Sequence, residues 1–391
     1  MRYIFTKNNK TLSFVLMAIG LFSVIYGFVT NAERTWSSLL LGNHYFLAIA
    51  LGALFFLAVQ YAAEVGWSVV IKRILMGMST YMWIPALVML LIFAFGGHHH
   101  LYHWTHSELF DPKSPDFDPV INGKKGYLNL PFFIIRMVAY FGIWTAFALF
   151  IRKESLKEDI EGGTKHFHKN VKNSAIFLVL FAVTSSMSAW DFMMSLDPHF
   201  FSTLFGWYNF ASLFAASLSV ICMLTIYLKK QGYLEKVNQN HLHNIGLFMF
   251  AFSVFWTYLW FSQFMLIWYA NLPEEVNYFI IRIKDYKFLF AANLLINFLF
   301  PFLTLMSRDA KRKTTYLLVA AIAIFIGHWL DFFMMIMPST LGPHWSMGIP
   351  EIGITLGFGG LFLFVVFSAL SKAPLMPKQH PFLEESIHHH I

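Results

Sequence analysis

The sequence predicts an all-α integral membrane protein with about ten transmembrane helices, arranged as two tandem four-helix bundles plus two peripheral helices. Three observations carry that expectation. The 391-residue chain is 57% hydrophobic and only 13% charged, a composition that a water-soluble chain could hold only by exposing a large apolar surface. Ten stretches stay apolar over the length that a helix needs to cross a bilayer. The third is an internal duplication. Asp191-Phe192-Met193-Met194-Ser195-Leu196-Asp197-Pro198 and Asp331-Phe332-Phe333-Met334-Met335-Ile336-Met337-Pro338 share the word Asp-Phe-x-Met-x-x-x-Pro, and a base, Lys172 or Arg312, stands nineteen positions before each aspartate.

The spans are expected at 12–30, 39–63, 74–96, 128–151, 174–196, 207–228, 244–270, 286–306, 314–337 and 352–371. The first could pass for a secretory signal, but no convincing cleavage site follows it, so it is read as span one. Residues 1–38 then hold the first peripheral helix, 39–196 the first bundle (spans two to five), 197–337 the second bundle (spans six to nine), and 338–391 span ten with a solvated tail that includes His388 to His390. Span four opens at Tyr127-Leu128-Asn129-Leu130-Pro131-Phe132 and closes at Arg152-Lys153, and span eight opens at Tyr286-Lys287-Phe288-Leu289-Phe290 and closes at Arg308. Each leads through a basic link into an aspartate-bearing span. The two copies run in the same direction, so an axis along the membrane normal relates them, unlike the inverted repeats of many transporters.

Lys and Arg sort the loops. With the N-terminus in the cytoplasm, that side carries 20 of them, the opposite side carries seven, and Arg136 falls inside span four. This is the positive-inside bias, and it puts both termini in the cytoplasm. It also accounts for the net charge of +7 without a nucleic-acid partner.

Cys222 is the only cysteine, which excludes c-type haem attachment, a Cys-ligated iron-sulfur cluster and a disulfide within the chain. A haem b would need facing histidines inside the spans, where only His44 and His328 are candidates. No cofactor is therefore expected in this chain. The stretch His98-His99-His100-Leu101-Tyr102-His103-Trp104-Thr105-His106 has imidazoles but no metal-site spacing, and Tyr102 and Trp104 suit an interfacial belt. The loop that continues to Gly126 reads as a docking surface for an outer subunit.

A carboxylate inside a span costs about 2.5 to 3.5 kcal/mol even on the lenient insertion scale, so one retained in each repeat points to proton, quinone or ion handling. Thr184, Ser188, Asp191 and Ser195 recur at steps of four, three and four and fall on one face of span five. His328 and Asp331 share a face of span nine, where an imidazole can exchange protons with a carboxylate. These six residues are the proton-path candidates. Gln60, Glu64, Gln263, Asn293 and Asn297, together with Ser253, Thr257 and Trp260, read as interhelical polar contacts of the bundles. Arg136 must snorkel, meet a water-filled cavity or pair with a carboxylate, and Asp191 on the next span is its natural partner. Paired, Asp191 is a structural ion; unpaired, it is free to cycle, and the residues alone leave both open.

The segment Trp260-Phe261-Ser262-Gln263-Phe264-Met265-Leu266-Ile267-Trp268-Tyr269-Ala270-Asn271-Leu272-Pro273-Glu274-Glu275, with the repeated aspartate word and the ten-span plan, resembles the polysulfide-reductase-type (NrfD-like) membrane subunits of bacterial alternative complex III. The resemblance covers nearly the whole chain, and its short termini are more similar to the smaller of the two sister subunits. It implies a subunit of a quinol:cytochrome c or quinol:terminal oxidase oxidoreductase in the bacterial inner membrane, one that scaffolds redox subunits and provides a proton path. It implies haem c and iron-sulfur clusters in partner subunits, menaquinol or another quinol at the sister subunit, and as partners a multihaem cytochrome c, an iron-sulfur protein, the sister NrfD-like subunit, small membrane subunits, a terminal oxidase and lipids. Two rivals remain open. A secondary transporter would show helices broken at corresponding midspan positions, and Pro85, Pro131 and Pro301 do not correspond; a purely structural membrane anchor would keep its aspartates for assembly alone.

Overall fold

The computed structural model describes residues 2–390. Among them the chain is helical, with no strand beyond a single bridge between Arg2 and Pro374. Ten helices are long and apolar enough to cross a membrane, which makes this an all-α, multi-pass membrane protein. They are α1 (Lys7–Thr30), α2 (Ala32–Ala62), α3 (Trp67–Ala94), α4 (Leu130–Glu161), α5 (Lys165–Phe192, prolonged by a 3-10 turn at Met194–Leu196), α6 (Leu204–Lys230), α7 (Gln239–Ala270), α8 (Lys287–Leu305), α9 (Thr314–Leu341) and α10 (Ile349–Ser371). The Arg2 bridge to Pro374 places both ends of the chain on one face, called here the termini face.

The centre is α2 packed on α6, and most residues of both helices are buried. Their contact is close because it is small: a Cβ added at Gly52 would come within 2.5 Å of the Ser217 Cβ, and Ser217 Oγ donates to the Ile49 carbonyl at 3.0 Å. Around this axis α2 also packs on α5 and α10, and α6 on α7 and α9. α1 lies along α10 and buries only Ser13, Gly20, Ser23 and Gly27. A Cβ at Gly20 would sit 2.4 Å from the Gly357 Cα, so the backbones approach where side chains are least, the usual device for joining helices in lipid.

Caps explain several starts. Asn31 accepts from the Arg34 N–H to open α2, Asn129 accepts from Phe132 to open α4, and Asn238 with His241 forms a capping box on α7. α2 therefore begins at Ala32, ahead of the expected 39, because its polar first turn is capped and needs no apolar signal. α8 is not one even helix: Leu295–Leu299 is π-helical just before Pro301, which removes an N–H from the ladder. α9 runs through Pro338, past the expected end at 337.

Three segments depart from their expected character. The loop after α3 is a packed cap, with Leu101, Tyr102 and Trp104 each no more than 2% exposed, so Tyr102 and Trp104 are core residues and not an interfacial belt. A helix at Pro273–Asp285 buries Val276, Tyr278, Phe279 and Arg282 on one side, a periodicity hidden in the sequence by its exposed glutamates. The C-terminal segment is docked through its backbone, although the His388 and His390 side chains stay exposed as expected. Ser386 Oγ donates to the Trp67 carbonyl at 2.8 Å, Asn238 and Asn240 donate to the His389 carbonyl at 2.9 and 3.2 Å, and Asp159 accepts from the Lys378 N–H at 3.0 Å. The segment is a strap across the termini face that ties α3, α4 and α7 together. Backbone donors and acceptors decide this, and they leave no trace in side-chain hydropathy.

Candidate functional site: two buried carboxylates

Asp191 sits at the end of α5 away from the termini face and is 1% exposed. Arg136 of α4 closes on it from the side: Nε donates to Oδ2 and Nη2 to Oδ1, both at 2.8 Å. This is a bidentate charged pair, the geometry that a guanidinium fork imposes. Tyr140, one turn along α4, donates a third bond to Oδ2 at 2.8 Å. Nη1 donates to the Tyr127 carbonyl at 3.1 Å, and the guanidinium lies 3.9 Å from the Tyr127 ring centre. Of the fates open to Arg136 the structure takes the carboxylate pair.

The other polar residues of this helix face do not join Asp191 in a chain. Thr184 accepts from Trp144 Nε1 at 2.9 Å and donates to its own helix at Leu180. Ser188 donates to the Ser185 carbonyl and Ser195 to the Asp191 carbonyl. Each hydroxyl hydrogen returns to the α5 backbone. That is the local bonding that serines and threonines adopt in apolar helices.

Asp331 occupies the same place in the repeated word on α9, fully buried, and is held in another way. Oδ1 accepts from the Tyr208 hydroxyl and from Asn293 Nδ2, the latter at 2.8 Å. Oδ2 accepts from Ser212 Oγ at 2.5 Å and from Trp256 Nε1 at 2.9 Å. Four neutral donors thus converge from α6, α7 and α8 on one carboxylate of α9, two on each oxygen, the pattern that suits an ionised group. Asn297 supports the arrangement by donating to Asn293 Oδ1 at 2.7 Å and to the Gly327 carbonyl at 2.9 Å.

The histidine expected beside it is there. His328 Nδ1 lies 3.8 Å from Asp331 Oδ2, the ring is fully buried, and neither ring nitrogen has a hydrogen-bond partner. It stands edge-on to Trp256 with ring centres 5.6 Å apart. In the first copy the position three before the aspartate is Ser188, so the imidazole belongs to the second site alone. His44 lies between the two sites, against Phe332 at 5.2 Å and Phe192 at 6.4 Å, the residues that follow each aspartate, and its Nε2 is unpartnered.

Arg282, which the sequence reading passed over, is buried behind Asp331 with no carboxylate in contact. Nε donates to the Met334 carbonyl at 2.9 Å, and Nη2 to the Met335 carbonyl at 3.2 Å and Ser339 Oγ at 3.0 Å. The cause is Pro338: without an N–H it cannot bond the carbonyl four residues back, which is Met334. Tyr208, Gln263, Arg282 and Asn293 line a cavity of about 20 Å³ between these groups, room for a single water. Gln263 Oε1 has no partner.

Of the remaining predicted contacts, Gln60 is buried with its Oε1 unpartnered. Glu64 is no bundle contact: α2 ends at Ala62, and Glu64 follows exposed in a left-handed turn at φ 51°. Ser253 is buried and Thr257 donates to its carbonyl at 2.8 Å. In the histidine-rich cap, His98 bonds the Phe93 carbonyl and His106 the His99 carbonyl. No group of three or more metal-ligating side chains forms among the described residues. Tyr140, Tyr208, Ser212 and Trp256 were all missed. The spacing of Tyr208 and Ser212, one turn apart on α6, is the one signal that could have found any of them.

No protein-family model matches the chain, and no curated protein matches it.

Proposed function

We propose that this chain is an ActF-type, NrfD-like membrane subunit of alternative complex III, the respiratory assembly that passes electrons from quinol to a cytochrome c or a terminal oxidase. In this reading it lies in the bacterial inner membrane with both termini in the cytoplasm and carries no redox centre. It scaffolds the multihaem cytochrome c, the iron-sulfur protein, the sister subunit ActC and the small membrane subunits. Haem c and iron-sulfur clusters belong to those partners and the quinol to ActC. Support comes from the repeated aspartate word, from the helix-seven segment, and from the excess of Lys and Arg on the side of the termini, the bias expected of a cytoplasmic face.

The observation that carries a role in proton handling is the second carboxylate. Asp331 is held only by neutral donors and has beside it an imidazole with both nitrogens unengaged. A small rotation of His328 closes the 3.8 Å gap to hydrogen-bond length and lets Oδ2 and Nδ1 exchange a proton. Asp191, committed to Arg136, is the structural ion. The anchor-only reading draws its support from that same clamp.

Two measurements test the proposal. Purification in mild detergent is expected to bring down partners that contain c-type haem; a chain isolated alone from its native membrane sinks the assignment. In the assembled complex, Asp331→Asn keeps the side-chain shape and removes the titratable group. Proton release per electron in vesicles is expected to fall while assembly persists, and unchanged release leaves the anchor reading standing.

A further inference from the structure

The two oxygens of Asp331 have different surroundings. Oδ2, held by Ser212 and Trp256, is the one 3.8 Å from His328 Nδ1. Oδ1 is held by Tyr208 and Asn293, and both of those side chains, unlike Ser212 and Trp256, line the small cavity shared with Gln263 and Arg282. His328 lies one turn from Asp331 toward the termini face. The cavity lies on the other side, where Met334 and the helix Pro273–Asp285 close it. That helix is a single layer, since Tyr278, Phe279 and Arg282 line the cavity while its Asn277 and Lys284 are exposed.

Toward the termini face the surroundings are apolar. α7 has no polar side chain from Ile245 to Phe252, and α9 has none from Leu317 to Gly327, about 16 Å of helix. Leu317, Ala320, Ala321 and Ile324 of α9 are buried there, as are Ile245 and Met249 of α7. The α6 hydroxyls on that side, Ser217, Ser219 and Thr225, donate to backbone carbonyls. Hydrocarbon of that thickness offers a proton no acceptor. The cavity, in contrast, admits a water among polar neighbours. Of the two groups that join Oδ1 to it, the Asn293 amide N–H can only donate, whereas the Tyr208 hydroxyl accepts one hydrogen bond as it donates another.

Taking the proton-handling role proposed above as given, we infer that the Asp331 and His328 pair exchanges its proton with the face away from the termini alone, through this cavity, with Tyr208 as the relay to Oδ1. A proton that reaches the cavity as hydronium passes to the Tyr208 oxygen while the Tyr208 hydroxyl hydrogen moves to Oδ1. Water, an intact phenol and a neutral carboxyl group remain. A half turn of that group about Cβ–Cγ presents the proton to His328 Nδ1, and release runs the same steps backward. Arg282 in the cavity wall is a fixed cation that keeps a proton from resting on the water, so the proton sits on the pair or outside.

The test measures protons released per electron by the assembled complex in sealed vesicles, with turnover and assembly followed alongside. The part of the release that Asp331→Asn abolishes is expected to appear in the compartment facing away from the termini. Gln263→Leu takes a polar group out of the cavity and touches no bond to Asp331, and Tyr208→Phe removes the relay; both are expected to lower release per electron to the Asp331→Asn level while electron transfer continues. Ser212→Ala also takes one hydroxyl from Asp331, on the oxygen away from the cavity, and is expected to keep the wild-type ratio. Gln263→Leu decides the matter where Tyr208→Phe fails to assemble. A fall in Asp331→Asn with wild-type release in Gln263→Leu and Tyr208→Phe overturns the route and leaves the role of Asp331 standing, whereas no fall in Asp331→Asn removes that role and the route with it. A fall in Ser212→Ala as deep as in Tyr208→Phe, or Asp331-linked protons in the compartment on the termini side, also overturns the route.

Discussion

Asp191 and Asp331 stand at matching positions of a repeated word, and the two halves of the molecule use them in opposite ways. Asp191 is clamped by one neighbouring helix, through Arg136 and Tyr140 of α4. Asp331 is the meeting point of four helices, and every donor that reaches it is neutral. In the first site a full cation neutralises the buried charge and pins two adjacent helices. In the second, neutral dipoles share it and the histidine beside it is uncommitted. A repeated motif thus preserves the place of a carboxylate without preserving its chemistry, which is set by what the neighbouring helices bring.

The sharpest way to break this contrast is to remove one charge from each site. Asp191→Asn leaves Arg136 buried and unpaired, for which about 3 to 5 kcal/mol of destabilisation is expected. Asp331→Asn strands no ion. It turns one acceptor into a donor among four donors, and about 1 to 3 kcal/mol is expected. Unfolding midpoints in detergent for the two variants should rank in that order, and Arg136→Met with Asp191→Leu should recover much of the first loss by filling the space with apolar side chains. Equal midpoints for the two single variants would remove the distinction between a clamp and a hub.

A smaller effect sharpens the account of the second half. Arg282 does for the α9 backbone what a missing N–H at Pro338 cannot. Arg282→Met and Pro338→Ala should therefore be coupled: the alanine supplies a backbone donor to the Met334 carbonyl, so the arginine loss costs less in its presence. A double-mutant cycle on unfolding should give a coupling of about 1 kcal/mol, the net worth of one hydrogen bond. Strict additivity would mean that Arg282 acts through its stacking on Tyr278, 3.2 Å away, and not through the carbonyl.

The sequence made the scaffold legible and half of the site with it. Ten spans follow from hydropathy because every backbone group in lipid must bond within its own helix, so apolar length alone defines the element. The Arg136 and Asp191 pair was readable because both lie at similar depth on consecutive spans. The Asp331 shell was not, since Tyr208, Ser212, Trp256 and Asn293 come from three helices whose rotation about their own axes no hydropathy pattern fixes. The one-face stripe of Thr184, Ser188 and Ser195 was real as geometry, but helix periodicity cannot tell whether a hydroxyl bonds across to a neighbour or back to its own turn. The helix at Pro273–Asp285 and the C-terminal strap escaped for a related reason. Both bury a narrow stripe and satisfy backbone groups, while their exposed glutamates and histidines dominate the composition.

The strap provides the smallest effect, and it joins the two halves. His380 is buried against Phe167 and Tyr61, with ring centres 5.3 and 6.1 Å away, and its Nδ1 accepts the Phe382 N–H at 3.2 Å. Burial, and then the nearby charges of Lys72 and Arg73, push its pKa down from 6.5 to about 2. The docked strap therefore needs the neutral ring, while the released strap takes up a proton near the ordinary value. A group with a lowered folded pKa of this type contributes fully above the unfolded pKa, and its contribution fades as pH falls below about 6.5. Between pH 7.5 and pH 6 the released fraction should rise about fourfold through this one group, with a further rise below pH 6. Hydrogen exchange of the amides from 374 to 390 reads that fraction directly. In His380→Phe, which keeps the ring contacts and cannot protonate, the exchange rates corrected for intrinsic pH dependence should be flat over the same range. A wild-type strap whose corrected exchange is equally flat would mean that protonation is met without undocking, and that the link between the two halves on the termini face is insensitive to acid.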